Sequence, residues 1–481
     1  MQSTEQSTGA VWHPDLANRD RPVYLAIADA IADDIRSGRL AAGQRLPPQR
    51  ALADRLGLDL TTVSRAYSEA RQRGLLDARV GQGTFVRPPS AGPAPVPRPD
   101  TPRDTAPAAV IDMTMNQPPL PEAPDLLDRV RGGLADAAQR IDLRALLRYP
   151  ETGTAAEDRE AGARWLLPRL PDLAADGGAG RVVVCPGTQA ALLALLTMLA
   201  RPGDTVCTEA LTYPGFRAIA RQLGVRVAGV AMDGQGIDPD ALRAAFAAHA
   251  PKALYCTPTL HNPTTATLPA DRRAAIAAIA REYGVPIVED DIYGVLPQDA
   301  PPPLATLAPE LTFHVAGLAK CVAPGLRITY VAAPDARQAA RLEASQRAAL
   351  LGTPAIPAAV ATRWIADGTA GLLLAAIRAE AEARQRLAAA LLPPALTAAH
   401  PQGFHLWLGL PPAWTRGEFA ACLRTRSIVA AVSDAFLTDG PAPEAVRICL
   451  GAPVTRTDCR RMLETLADAL DQIPALADTV I

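Results

Sequence analysis

A chain of 481 residues, 49% of them hydrophobic, is long enough for two or more domains with real cores. Its net charge of −2 excludes a global field that draws the whole molecule to nucleic acid or membrane, so any nucleic-acid site must be local. Seven scattered cysteines without a C-x-x-C pair, and six histidines without ligand spacing, point to free thiols in a reducing cytoplasm and to no metal.

The start, Met1 to Asp20, is polar and has no apolar signal core. The longest apolar run, Ala190 to Ala200, is too short to span a bilayer, so no membrane partner is expected. From Tyr24 to Ile35, apolar residues recur at helical spacing: Leu25, Ile27, Ala28, Ile31, Ala32 and Ile35. Leu46 to Gly57 predicts a short helix opened by proline and closed by glycine. Asp59 can cap the next helix, Leu60 to Arg73, which ends before Gly74. Two short helices around a tight glycine turn make a helix-turn-helix, and Leu75 to Val86 adds a two-stranded wing with Gly81-Gln82-Gly83 at its tip. Gln44 to Arg87 holds eight arginines and four acids, a local +4 suited to phosphate.

These residues resemble the GntR family of winged-helix regulators over 20–87. The likeness lies in Arg45-Leu46-Pro47, Arg50, Leu52-Ala53, Leu56-Gly57, Thr62-Val63-Ser64-Arg65-Ala66-Tyr67 and Gly81-Gln82-Gly83-Thr84-Phe85-Val86. It implies that Arg50, Thr61, Thr62 and Arg65 face double-stranded DNA, with Gly83 at the wing tip. Asp59-Leu60 departs from the polar or basic pair often found there.

Residues 88–109 form a proline- and alanine-rich linker without apolar periodicity. An extended proline-rich segment rises ~3.1 Å per residue, so about twenty residues reach on the order of 60 Å at most. From Ile111 the pattern becomes alternating strands and helices, which predicts a mainly parallel sheet covered by helices. Strands are expected at 181–185, 253–256, 285–288 and 312–315. The first runs through Pro186-Gly187-Thr188-Gln189 into a helix from Ala190, a turn that can hold an anion. The others lead to Asn262, to Glu289-Asp290-Asp291-Ile292-Tyr293 and toward Lys320. In such sheets ligands sit beyond the carboxyl ends of the strands.

Lys320 stands out because the chain has only two lysines, Lys252 and Lys320, among 48 basic residues. Either cation serves solubility, but only a primary amine can lose its proton and attack an aldehyde. Pyridoxal phosphate needs an amine, a carboxylate at its ring nitrogen and donors to its phenolate. It also needs a phosphate cradle and a flat side chain over the ring. Lys320, one of Asp290 and Asp291, Asn262 with Tyr293, Thr188 with Arg327, and Tyr213 would supply them.

Their order resembles fold type I aminotransferases over 110–478. The resemblance implies a large lobe at about 150–345 and a small lobe at about 346–478 plus 110–149. It makes Lys320 the Schiff-base lysine, Asp290 the pyridinium partner, and Tyr293 and Asn262 the holders of the phenolate oxygen. Gly187, Thr188, Gln189 and Arg327 would bind phosphate, and Tyr213 would stack on the ring. Tyr149 would reach the phosphate of a neighbouring subunit, and Arg447 would clamp a carboxylate. Gly317 and Ala319 stand where the family usually has serines.

The whole chain past residue 20 resembles the MocR subgroup of GntR regulators. The implied fold is multidomain: an α+β winged helix-turn-helix joined by a Pro-rich linker to an α/β fold type I aminotransferase-like domain that binds pyridoxal 5'-phosphate. The implied function is a cytoplasmic, homodimeric, head-to-tail transcriptional regulator that senses that cofactor or a small amino compound. The alternative is an active aminotransferase with a fused DNA-binding head.

Overall fold

The computed structural model describes residues 12–15, 22–79, 83–87, 110–121, 123–148, 155–175 and 177–472. The expectations for Gly81-Gln82, for the linker 88–109 and for Tyr149 lie outside the described residues. The chain divides into two compact units, Met1–Ala106 and Pro107–Ile481.

In the first unit, helices span Val23–Arg36, Gln49–Leu56 and Leu60–Gln72. The second helix follows Pro48 and stops at Gly57, whose φ of 63° is a conformation that side-chained residues rarely adopt. The third opens on Asp59, whose carboxylate accepts the Thr61 N–H, so one orphan donor of the helix end is satisfied. Strands Leu76–Arg79 and Gly83–Val86 pair antiparallel. Ile27, Ile31, Leu52, Val63, Tyr67 and Val86 form one buried core. Tyr67 buries its ring there and donates its hydroxyl to the Pro47 carbonyl at 2.8 Å, which fixes the entry to the second helix.

The second unit is built on a seven-stranded sheet. Across it the order is Val182–Cys185, Thr329–Ala332, Thr312–Gly317, Ile287–Asp290, Leu254–Cys256, Thr205–Glu209 and Arg226–Val230. All pairings are parallel except those of Thr329–Ala332, which runs antiparallel to both neighbours. The central strands are buried on both faces, as a sheet covered by helices requires. One predicted strand is displaced: 285–288 becomes Ile287–Asp290. Pro286 has no N–H for a ladder, so residue pairing begins after it and carries Glu289 and Asp290 into the sheet. The helix predicted from Ala190 starts at Thr188.

A four-stranded antiparallel sheet forms the C-terminal lobe, in the order Thr397–Ala399, His405–Gly409, Ala445–Cys449, Ala431–Val432. Leu406, Leu408, Phe419, Val446, Met462 and Leu466 fill its core. The two-residue strand Ile111–Asp112 pairs in parallel with Ile428–Val429. The chain therefore enters this unit by joining its last lobe. Among the described residues no single helix is long and apolar enough to cross a membrane.

Candidate cofactor site and nucleic-acid interface

The polar residues of the body converge on one rim of the large sheet. Thr188 follows the strand ending at Cys185, Asn262 follows Cys256, Asp290 ends its own strand and Lys320 follows Gly317. Arg327 precedes the antiparallel strand and so reaches the same rim. Together with Tyr213, Tyr293 and Arg447 they line a cavity of about 590 Å³.

Lys320 sits at the end of the short turn Leu318–Lys320 and donates its ammonium to the Asn116 carbonyl. Burial lowers its pKa to about 8. Asp290 is buried; Oδ2 accepts from the Tyr255 hydroxyl at 2.8 Å, and Oδ1 has no partner. Burial raises its carboxyl to about 6, against the opposing effect of that hydrogen bond. Asp291, next in sequence, is paired elsewhere, with Arg169 at 2.9 Å. Burial alone would raise Asp291, but Arg169, His314 and Arg273 outweigh it and hold its carboxyl low. Of the two aspartates, only Asp290 lines the cavity.

Tyr293 is buried and accepts from Asn116 Nδ2 at 2.9 Å. Asn262 Oδ1 accepts from Arg447 Nη1 at 2.9 Å. Arg447 is itself buried, donates Nη2 to the Met113 and Thr114 carbonyls, and leaves Nε without a partner. Burial lowers its pKa. At the other end, Gly187 has φ 96°, and a Cβ there would lie 3.1 Å from the Arg327 guanidinium. Thr188 and Thr329 hydroxyls bond at 3.0 Å, and Gln189 donates to the Tyr213 hydroxyl at 3.3 Å. A Cβ on Gly317 would stand 2.5 Å from Thr188 Oγ1 and 2.9 Å from Thr329 Oγ1. Those two hydroxyls leave no room for a serine at 317.

On the head, Arg50, Thr61 and Arg65 are exposed and Thr62 is half-buried. Thr61 donates its hydroxyl to Asp59 at 3.1 Å, and Arg65 lies over the Tyr24 ring at 4.3 Å. Gly83 is exposed with φ 113°, and the Arg45 side chain lies against it.

Residues 108–466 match the family described as Aminotransferase class I and II, and residues 23–86 match Bacterial regulatory proteins, gntR family. The chain belongs to the class I and II aminotransferase family. With its GntR-type head it has the MocR-type architecture. The chain is 28% identical to the HTH-type transcriptional regulator YdeF of Bacillus subtilis, over 96% of its length and 97% of that protein. It is 28% identical to the vitamin B6 salvage pathway transcriptional repressor PtsJ of Salmonella typhimurium, over 65% of this chain and 68% of that one. Its body shares a fold with the α-aminoadipate aminotransferase LysN of Thermus thermophilus, at TM-score 0.66 and 23% identity. That match covers 76% of this chain and 93% of LysN.

The cofactor of this MocR-type body is pyridoxal 5'-phosphate. The residues present fit it. A buried carboxylate oxygen without a partner suits a protonated ring nitrogen, and a buried amine of lowered pKa suits an aldehyde. The glycine turn before Thr188, at a helix start, suits a phosphate. Sequence reading missed Tyr255, which holds Asp290, and the segment Met113–Asn116, which holds Lys320, Tyr293 and Arg447. Neither has a local signature: Tyr255 lies inside a strand, and the segment reaches the site through pairing with residues 428–429.

Proposed function

We propose that the chain is a cytoplasmic, pyridoxal phosphate-dependent transcriptional regulator. Its winged helix binds operator DNA, and its body senses the cofactor or a small amino compound. The observation that carries this reading is the position of Met113–Asn116. This segment directly follows the linker in sequence, and its carbonyls take the hydrogen bonds of Lys320 and Arg447. A ligand that engages either cation competes with that segment.

In this reading Lys320 supplies the amine that holds the cofactor, and Asp290 keeps the ring nitrogen protonated. Tyr293 and Asn262 hold the phenolate oxygen, and Tyr213 covers the ring. Gly187, Thr188, Gln189 and Arg327 bind the phosphate. When bound, the cofactor supplies an electrophilic aldehyde and an electron-accepting ring. Arg447 anchors the carboxylate of an amino-acid effector, for which a bidentate guanidinium is suited. Such an effector draws Arg447 from the Met113 and Thr114 carbonyls and frees the segment that leads to the linker. It shifts the protein between arrangements only by its differential affinity for them.

Homodimerisation belongs to the same proposal, with Tyr149 reaching the neighbouring phosphate. Support comes from exposed Leu127, Leu134, Leu143 and Leu147, large apolar groups uncovered in one chain. The name of the B6-salvage repressor PtsJ supports a link to the vitamin. The test is titration of the purified protein with pyridoxal phosphate while its upstream DNA is retarded on a gel. A visible absorption band in wild type, absent from Lys320→Ala, together with a change in retardation, is expected. Retardation that ignores the cofactor would remove the sensing role.

A further inference from the structure

We infer that Leu60 reads the 5-methyl group of a thymine in the operator. This rests on the proposed DNA binding of the head. Leu60 is the first residue of the helix Leu60–Gln72 and is 37% exposed. A lone exposed leucine is ordinary on a protein surface. This one lies in a cleft with Arg45, Pro47, Arg50, Gly83 and Thr84, between the second helix and the wing. Arg45 and Arg50 are both exposed, and no ion pair holds either among the described residues. The cleft therefore offers two cations to phosphate together with an apolar tip.

Residues at the start of a recognition helix reach base edges in the major groove. Of the four bases only thymine shows a methyl group there. The neighbouring polar group is not free to substitute for Leu60. Thr61 gives both its N–H and its hydroxyl to Asp59, each at 3.1 Å. Both Thr61 donors are thus spent, and the leucine methyls supply an apolar contact at this turn. Asp59, whose charge opposes phosphate, spends one carboxylate oxygen on the cap.

The test uses the full-length protein and a random duplex library. The enriched duplex is then remade with uracil in place of thymine, one position at a time, which removes only the methyl. Wild type is expected to lose about fourfold in affinity at one thymine position, the burial value of a single methyl-sized group. Leu60→Ala should bind the thymine and uracil duplexes equally, and Leu60→Arg should move the preference at that position toward guanine. An enriched duplex indifferent to uracil at every position, or a Leu60→Ala protein that still discriminates, overturns the inference. A library that yields no enriched sequence overturns DNA recognition itself, and this inference with it.

Discussion

Lys320 and Asp290 share one buried rim but have opposite needs: the amine must lose charge and the carboxylate must keep it. Burial disfavours charge on both, so the lysine is lowered to about 8 and the aspartate raised to about 6. The neutral amine is the form that attacks an aldehyde. Its fraction grows as pH rises toward 8, roughly tenfold per unit below that point. Cofactor loading of the stripped protein, followed by its visible band, should accelerate with pH up to about 8 and then level off. A flat profile from pH 6 to 9 would contradict the assignment. Asp290→Asn keeps the shape and removes the charge. A hydrogen bond to a charged group is worth about 1.5–3 kcal/mol, so cofactor affinity should fall by roughly 10–100-fold, read by equilibrium dialysis. Retention at the wild-type level would move the pyridinium role elsewhere. The sequence singled out Lys320 because a chain that writes its cations as arginine keeps a lysine there, and the structure places it on the cavity wall. The choice between Asp290 and Asp291 was not legible by composition. In the structure Arg169, 122 positions away, pairs with Asp291, and Asp290 is the one that lines the cavity.

The elements divide along the same line between local and distant causes. The three head helices follow from proline, glycine and a capping aspartate within a few residues, and sequence reading placed them to within two or three positions. Asp59→Ala should cost about 0.5–2 kcal/mol of head stability, seen as a lower melting temperature of that transition. An unchanged transition would mean that another acceptor or water takes over the cap. The entry segment was invisible in the sequence because its strand is two residues long and pairs with residues more than 300 positions later. Its seat is tight. A Cβ on Gly451 would lie 1.9 Å from the Gln117 carbonyl oxygen, so the backbone must shift. Gly451→Ala should therefore displace the segment, destabilise the body by about 1–3 kcal/mol and blunt the response of DNA binding to ligand. Normal ligand response in this variant would separate the segment from signalling.

At the scale of the molecule, a DNA-reading head and a cofactor body share one chain, joined in sequence by a proline-rich segment. The composition showed that break in character clearly, since the local +4 of the head stands out against a total of −2. The hydrogen bonds of Lys320 and Arg447 to Met113–Asn116 could not be read there, because they are made across folded space. The most direct measurement is a footprint of the full-length protein on its own upstream DNA. It is taken with and without pyridoxal phosphate and a panel of amino acids, for wild type and Lys320→Ala. The expected result is a protected pattern that changes with the cofactor in wild type and stays fixed in Lys320→Ala. The same pattern under every condition, for both proteins, would contradict a cofactor-governed regulator.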